Sequence, residues 1–342
     1  MIRAGIIGVS GYTGCEILSI LLGHPKCEVT WLTAKKITSP TPVSDLFGQF
    51  KGLTDLVVQN EINVDKMAQA CDLVFLALPH KISMSYAGQF LKKGIKVIDL
   101  SSDYRLPDLK RFQSLTGMAH LDADNLGKAV YGLAEWNADK IAKAELIANP
   151  GCYPTSILLA ILPLLADGII DLQQPILADS KSGVSGAGRN PTQALHFSEV
   201  NESIKAYKVL EHPHAPEIVH TAQAFTQASI QLKFVPHLIP IHRGLLSTIY
   251  AFTDKKTSYD ALLASYRKHY REAPFVRLCA RNTWPEVRHV AHTNFCDIGF
   301  TIEDNVIVIV SAIDNLVKGA AGQAVQNMNL LYNIDQKEAL VP

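Results

Sequence analysis

Residues Ile2 to Gly8 form a short apolar run that ends in Gly8-Val9-Ser10-Gly11-Tyr12-Thr13-Gly14, and Cys15 to Leu22 then carries helical periodicity. Strand, glycine turn and helix in that order leave few folds open. Three glycines let the backbone turn sharply and approach a pyrophosphate, while the helix N-terminus offers N–H donors and the positive end of its dipole. The spacing is G-x-x-G-x-x-G rather than the commoner G-x-G-x-x-G. A second strand is expected at Glu28 to Thr33, followed by Thr33-Ala34-Lys35-Lys36 where an NAD site usually places an acidic residue. A cation pair there suits a 2′-phosphate and favours NADP(H). The unbroken apolar runs Asp72 to Leu78 and Lys96 to Leu100 read as buried parallel strands. The architecture expected is α/β, a doubly wound Rossmann-type domain. Its cofactor-binding residues would be Gly8, Ser10, Gly11, Tyr12, Thr13, Gly14 and Lys35, with Pro79 just past a strand end.

At 342 residues the chain exceeds what one core usually supports, so roughly two domains are expected. Lys+Arg and Asp+Glu both number 32, which removes any global electrostatic case for nucleic acid or an anionic membrane. The longest apolar stretch, Ile157 to Ile170, is broken by Pro163 and Asp167 and is too short to span a bilayer. Six cysteines without a C-x-x-C pair or a secretory leader argue against a zinc ribbon or a disulfide framework. A soluble, cytoplasmic protein without a metal is expected.

The second half begins at Asn149-Pro150-Gly151-Cys152-Tyr153-Pro154-Thr155, a stiff turn carrying a single cysteine, with a helix reading from Ser156 onward. A thiol at a helix N-terminus ionises more readily, and the N–H groups there can hold an oxyanion. Cys152 is therefore the candidate nucleophile. Asp179 to Arg189 is small, flexible and twice cationic, and reads as an anion nest in a loop. His212-Pro213-His214-Ala215-Pro216-Glu217 puts both rings on one face if the segment is extended. With no third ligand at zinc spacing, acid–base work is favoured there, Glu217 orienting a ring. Arg243 in Pro236 to Gly244 is suited to a bidentate carboxylate pair. Asp314-Asn315-Leu316-Val317-Lys318-Gly319-Ala320 is expected to open a long helix returning to the first domain, with Asn315 facing the cofactor's carboxamide.

The glycine turn, Asn149 to Thr155, Ser182 to Arg189, His212 to Ile218 and Asp314 to Ala320 together resemble the N-acetyl-γ-glutamyl-phosphate reductase family of arginine biosynthesis, over nearly the whole chain. Leu78-Pro79-His80, Asp99-Leu100-Ser101 and Tyr131-Gly132-Leu133 add to the resemblance. The resemblance implies NADPH-dependent reductive dephosphorylation of a small acyl phosphate. Cys152 would form a thioacyl enzyme, and His214 or His212 would act as acid–base when the hemithioacetal collapses, with His214 preferred because Glu217 lies one turn on. It further implies cofactor contacts from Ser182, Gly183 and Asn315, and substrate contacts from Asn149, Ser185, Arg189 and Arg243. The fold implied is a dinucleotide-binding domain over 1–148, joined by a C-terminal helix over 315–342, and an α+β catalytic and dimerisation domain of the glyceraldehyde-phosphate-dehydrogenase kind over 149–314. A homotetramer is implied as well.

Pro213 departs from the family pattern, where an arginine is common between the histidines. Three rivals stand beside this reading: a sister enzyme acting on the one-carbon-longer aminoadipyl phosphate, a non-catalytic NADP-binding regulator, and a cysteine hydrolase. The cysteine and histidine clusters speak against the regulator, and the Rossmann-type half against the hydrolase.

Overall fold

Apolar runs that alternate with helices bury both faces of a parallel sheet, and the first unit is built this way. The computed structural model describes residues 1–35, 37–254 and 256–341. The chain divides into two units, Met1–Pro150 with Ala320–Pro342, and Gly151–Gly319. Strands of the first unit are β1 (Ile2–Ile7), β2 (Cys27–Thr33), β3 (Thr41–Pro42), β4 (Val57–Gln59), β5 (Leu73–Leu76), β6 (Lys96–Asp99), β7 (Val130–Tyr131) and β8 (Leu146–Ala148). The second unit holds β9 (Ile176–Gly183), β10 (Lys205–Ala206), β11 (Leu232–Ile239), β12 (Leu245–Phe252), β13 (Val276–Leu278), β14 (Cys296–Glu303) and β15 (Val306–Ile313). The helices used below are α1 (Tyr12–Leu21), α2 (Ala134–Ile141), α3 (Cys152–Ala166), α4 (His214–Thr226), α5 (Tyr259–Tyr270) and α6 (Gly322–Leu331).

The first sheet runs β3-β4-β2-β1-β5-β6-β8-β7, parallel except for the β3 to β4 pair. From β1 the chain moves outward through β2 and β4, then returns to add β5 on the other side of β1. The carboxyl ends of β1 and β5 are therefore the topological switch point, the usual ligand position in such sheets. Ile7, Val74, Leu76, Phe90, Val97 and Tyr104 belong to the core beneath it. Helix α6 packs against α1 and α2 through a row of buried amides. Gln323 and Asn327 both donate to the Gly132 carbonyl, at 2.9 and 2.8 Å, and His24 bonds Asn329 at 2.9 Å.

The second sheet runs β10-β11-β9-β12-β15-β14-β13 and is mixed: β11 lies parallel to β9, and β12 antiparallel to both β9 and β15. Helix α3 lies on β12, β14 and β15, with α4 and α5 beside it. Pro163 inside α3 has no N–H to give the carbonyl of Leu159 one turn back. Tyr270 Oη on α5 donates to that carbonyl instead, at 2.6 Å, and Tyr266 Oη donates to the carbonyl of Ala160 at 2.5 Å.

Unit boundaries fall a few residues from those expected, for a local reason at each. Asn149 stays with the first unit because its N–H donates to the Asp99 carbonyl at 2.8 Å and its own carbonyl accepts from Arg105 Nε at 2.8 Å. Residues 315–319 stay with the second, where Asn315 is bonded to Ser185 and Gly244. The long helix expected from Asp314 begins instead as a π turn, Val317–Ala321, before α6.

Leaving the buried Leu159 carbonyl without its donor should cost about 1–3 kcal/mol. Tyr270→Phe is expected to lower stability by that amount in urea unfolding, with an unchanged m-value, whereas Tyr259→Phe on the same helix should have little effect.

Candidate active site

Gly8 follows β1 with φ +96°, and a Cβ there would stand 2.3 Å from the Ala77 carbonyl oxygen beyond β5. At Gly14 a Cβ would lie 2.4 Å from the Gly8 carbonyl oxygen. Only glycine fits either place, and the turn that results carries Ser10, Gly11, Tyr12 and Thr13 into the start of α1 at the switch point. This glycine-lined cradle at a helix N-terminus fits a dinucleotide pyrophosphate. Lys35 is exposed after β2, Lys36 lies outside the described residues, and Pro79 is exposed after β5.

In the second unit Cys152 is the first residue of α3 and is half-buried. The helix thus starts four residues before the expected Ser156, and Tyr153, Pro154 and Thr155 are helical rather than part of a turn. Pro154 is tolerated because first-turn N–H groups have no partner within the helix. The Gly151 N–H donates to Glu217 Oε1 at 3.0 Å, and the Gly151 carbonyl accepts from both the N–H and Oγ1 of Thr155, each at 2.9 Å. Glu217, buried in the first turn of α4, therefore holds the amide of the residue before the nucleophile.

The two histidines are not on an extended segment, because Pro213 has helical angles and His214 opens α4. Their rings still meet, 4.7 Å apart and edge to face. His212 is buried and walled by Tyr153, Tyr207 and Phe234, with ring centroids at 5.5, 5.6 and 5.4 Å. Its Nδ1 accepts the His214 N–H at 3.2 Å, which puts the proton of the neutral ring on Nε2. Burial, helped by the nearby Lys208, pushes its pKa down to about 4. His214 is half-buried beside Tyr153.

Tyr153 and Tyr207 are the site residues that spacing did not reveal. Their hydroxyls are 3.1 Å apart, and burial pushes both phenols up, Tyr207 to about 12. Tyr153 had a signal, its place directly after Cys152; Tyr207 had none.

The anion nest is corrected. Asp179 to Gly183 is strand, not loop, and the N–H groups of Gly183, Val184 and Ser185 donate to the carbonyls of Gly244, Ile241 and His242 at 2.9, 2.9 and 3.0 Å. Ser182 is buried beside Gly183, where a Cβ would meet the backbone of Ile241 and His242 at 2.9 Å. Ser185 Oγ accepts from Asn315 Nδ2 at 3.0 Å, and Asn315 Oδ1 accepts the Gly244 N–H at 2.6 Å. Arg189 is exposed. Two residues expected to contact substrate have partners within the protein. Asn149 is buried in the first unit, its amide joining the Ala320 carbonyl at 3.1 Å and Asn327 at 3.0 Å. Arg243 is mostly buried and paired with Asp314 at 3.2 Å. Among the described residues no group of three or more His, Cys, Asp or Glu could hold a metal ion, and no helix is long and apolar enough to cross a membrane.

The sequence matches two family models, "Semialdehyde dehydrogenase, NAD binding domain" over 3–144 and "Semialdehyde dehydrogenase, dimerisation domain" over 152–315. Aspartate semialdehyde dehydrogenases share the fold: that of Candida albicans with NADP superposes with a TM-score of 0.74 at 14% identity, covering 97% of this chain and 99% of that one. The Vibrio cholerae enzyme gives 0.72 at 17%, covering 97% and 98%. N-acetyl-gamma-glutamyl-phosphate reductases are far nearer in sequence, 43% identical in Desulforapulum autotrophicum and 42% in Marinobacter nauticus, each over 99% of this chain and 98% of the relative. The chain belongs to the N-acetyl-gamma-glutamyl-phosphate reductase family.

The depressed His212 pKa has a stability consequence with a definite sign. Between about 4 and the ordinary 6.5 the unfolded chain binds the proton that the folded one refuses, so this histidine lowers stability as pH falls through that window and is neutral above it. Thermal melts of wild type and His212→Gln at pH 7.5 and 4.5 test this. The wild type is expected to lose more between the two, the difference cancelling the carboxylates common to both proteins.

Proposed function

We propose that this chain reduces N-acetyl-γ-glutamyl phosphate to N-acetylglutamate 5-semialdehyde with NADPH, through a thioacyl intermediate on Cys152, in the cytoplasm. The observation that carries the reading is Cys152 as first residue of α3, with the N–H of the residue before it held by Glu217. The first turn's N–H groups and the helix dipole favour thiolate at Sγ. Sγ attacks the acyl carbon, and phosphate leaves as the thioester forms. His214, the half-buried member of the pair, takes the thiol proton and passes it to the departing phosphate. His212, neutral and enclosed, caps the start of α4 and keeps the His214 backbone in place.

The bound dinucleotide supplies the hydride. Gly8, Ser10, Gly11, Tyr12, Thr13 and Gly14 would hold its pyrophosphate and Lys35 its 2′-phosphate. The hemithioacetal oxyanion on Cys152 is held by the same first-turn N–H groups, and its collapse expels the thiolate and leaves the aldehyde.

The second unit also supports self-association into a homo-oligomer, a tetramer by family resemblance. On the sheet face away from α3, Leu177, Tyr250 and Val308 stand in one row across β9, β12 and β15, with Leu177 and Tyr250 more than a third exposed.

The reverse reaction is the direct test: N-acetylglutamate semialdehyde, phosphate and NADP, followed by absorbance of the reduced cofactor. Phosphate-dependent reduction is expected, absent in Cys152→Ala and lowered about 10²–10⁴-fold in kcat by His214→Asn. NADP binding without turnover, or turnover only with the one-carbon-longer semialdehyde, would overturn the substrate assignment.

A further inference from the structure

Behind Cys152 the second unit carries a construction that none of the steps above uses. A Cβ placed on Gly319 would lie 2.7 Å from Cys152 Cβ and 3.1 Å from Cys152 Cα, closer than atoms of two side chains approach, so backbone at 319 forms the wall against the nucleophile. Gly319 sits in the π turn Val317–Ala321 that leads into α6. The bond that sets this turn is the Gly319 N–H to the Asp314 carbonyl, 2.9 Å.

Asp314 is itself fixed from several sides. It is fully buried, and its Oδ1 accepts the N–H groups of Leu316 and Val317 at 2.8 and 3.1 Å. Oδ2 accepts the His292 N–H at 2.6 Å and Arg243 Nη1 at 3.2 Å. His292 takes φ +63° to present that N–H, a left-handed conformation uncommon outside glycine. Lys318 is buried as well, its ammonium 5.5 Å over the Phe275 ring, which anchors the turn from the other side.

We infer that Asp314, held by Arg243, and Gly319 are positioning residues for Cys152: the carboxylate shapes the π turn, and the turn sets where the thiol stands. The inference rests on Cys152 as the nucleophile proposed above. Arg243 acts here through Asp314.

The test compares Gly319→Ala and Asp314→Asn with wild type and with Gly48→Ala, where an added methyl meets nothing within 4 Å. Two readouts are taken on the full-length protein, steady-state kcat and KM, and the rate at which iodoacetamide alkylates Cys152, identified by peptide mass. For Gly319→Ala, kcat is expected to fall at least about 10²-fold, the scale of an ångström misplacement of a reacting group, with KM within about threefold and alkylation at least about tenfold slower. Asp314→Asn, which keeps an acceptor but loses the charge paired with Arg243, is expected to lie between that variant and wild type, and Gly48→Ala to match wild type. Unchanged kcat and alkylation in both variants would overturn the inference. A loss carried by KM with normal alkylation would overturn it too, since the turn would then hold substrate. If Gly319→Ala fails to fold, Asp314→Asn decides by the same two readouts. Alkylation needs neither substrate nor cofactor, so a wild type inactive on the acyl phosphate would sink the proposed reaction and leave this test intact.

Discussion

The bond from the Gly151 N–H to Glu217 Oε1, 3.0 Å and buried, is the constraint on which the second unit's chemistry depends. It ties the first turn of α4 to the residue before α3, so the helix bearing the histidines and the helix bearing the cysteine cannot shift independently. Glu217 is well placed for this because a carboxylate in the first turn of a helix is favoured by the helix dipole. The Gly151 carbonyl, in the next peptide and joined to Cys152, is taken by Thr155. With the N–H of one peptide and the carbonyl of the next both held, the backbone leading into Cys152 has little freedom, which preorganised catalysis requires. Glycine's conformational range is not the reason for glycine at 151, since φ −70° and ψ 158° are open to any residue.

The first unit was legible because its signals are local. An apolar run buried on both faces is a parallel strand whatever surrounds it, and β1, β2, β5 and β6 lie where such runs predict, to within two residues at each end. Gly8 and Gly14 are likewise explained by atoms of the turn and the adjoining strand. The 179–189 segment failed for the opposite reason. Its small residues look flexible in isolation, yet Ser182 and Gly183 pair with Leu245 and Gly244, and a sequence window cannot show donors engaged by a distant loop. The histidine pair lies between these cases: its two rings meet as their closeness in sequence suggests, but Pro213 takes helical angles just before α4, which proline's fixed φ permits.

Long-range pairing also explains why the intramolecular partners of Arg243 and Asn149 are invisible in the sequence. An arginine or asparagine in a loop-like stretch has no visible partner within its own window, so binding is the natural reading. Their partners stand 71 residues away for Arg243 and 178 for Asn149. Asn149 thereby becomes part of the buried amide row that seats α6, while Cys152, three residues further on, opens α3.

The Arg243 to Asp314 pair then bears on what a buried ion pair is for. Removing two charges from water costs nearly what their attraction returns, so such a pair is weak evidence of stability. Asp314 accepts three backbone N–H groups besides the guanidinium, and an apolar pair of equal volume could not replace those. What the carboxylate contributes is direction: it turns the N–H groups of residues 316 and 317 inward, which lets the chain close with the 314 to 319 bond instead of the shorter bond of an ordinary helix. A tighter turn would carry residue 319 to a different place, and the wall against Cys152 with it. The arrangement is better understood as setting a position than as adding stability, because the N–H groups that Asp314 orients have no counterpart in an apolar pair.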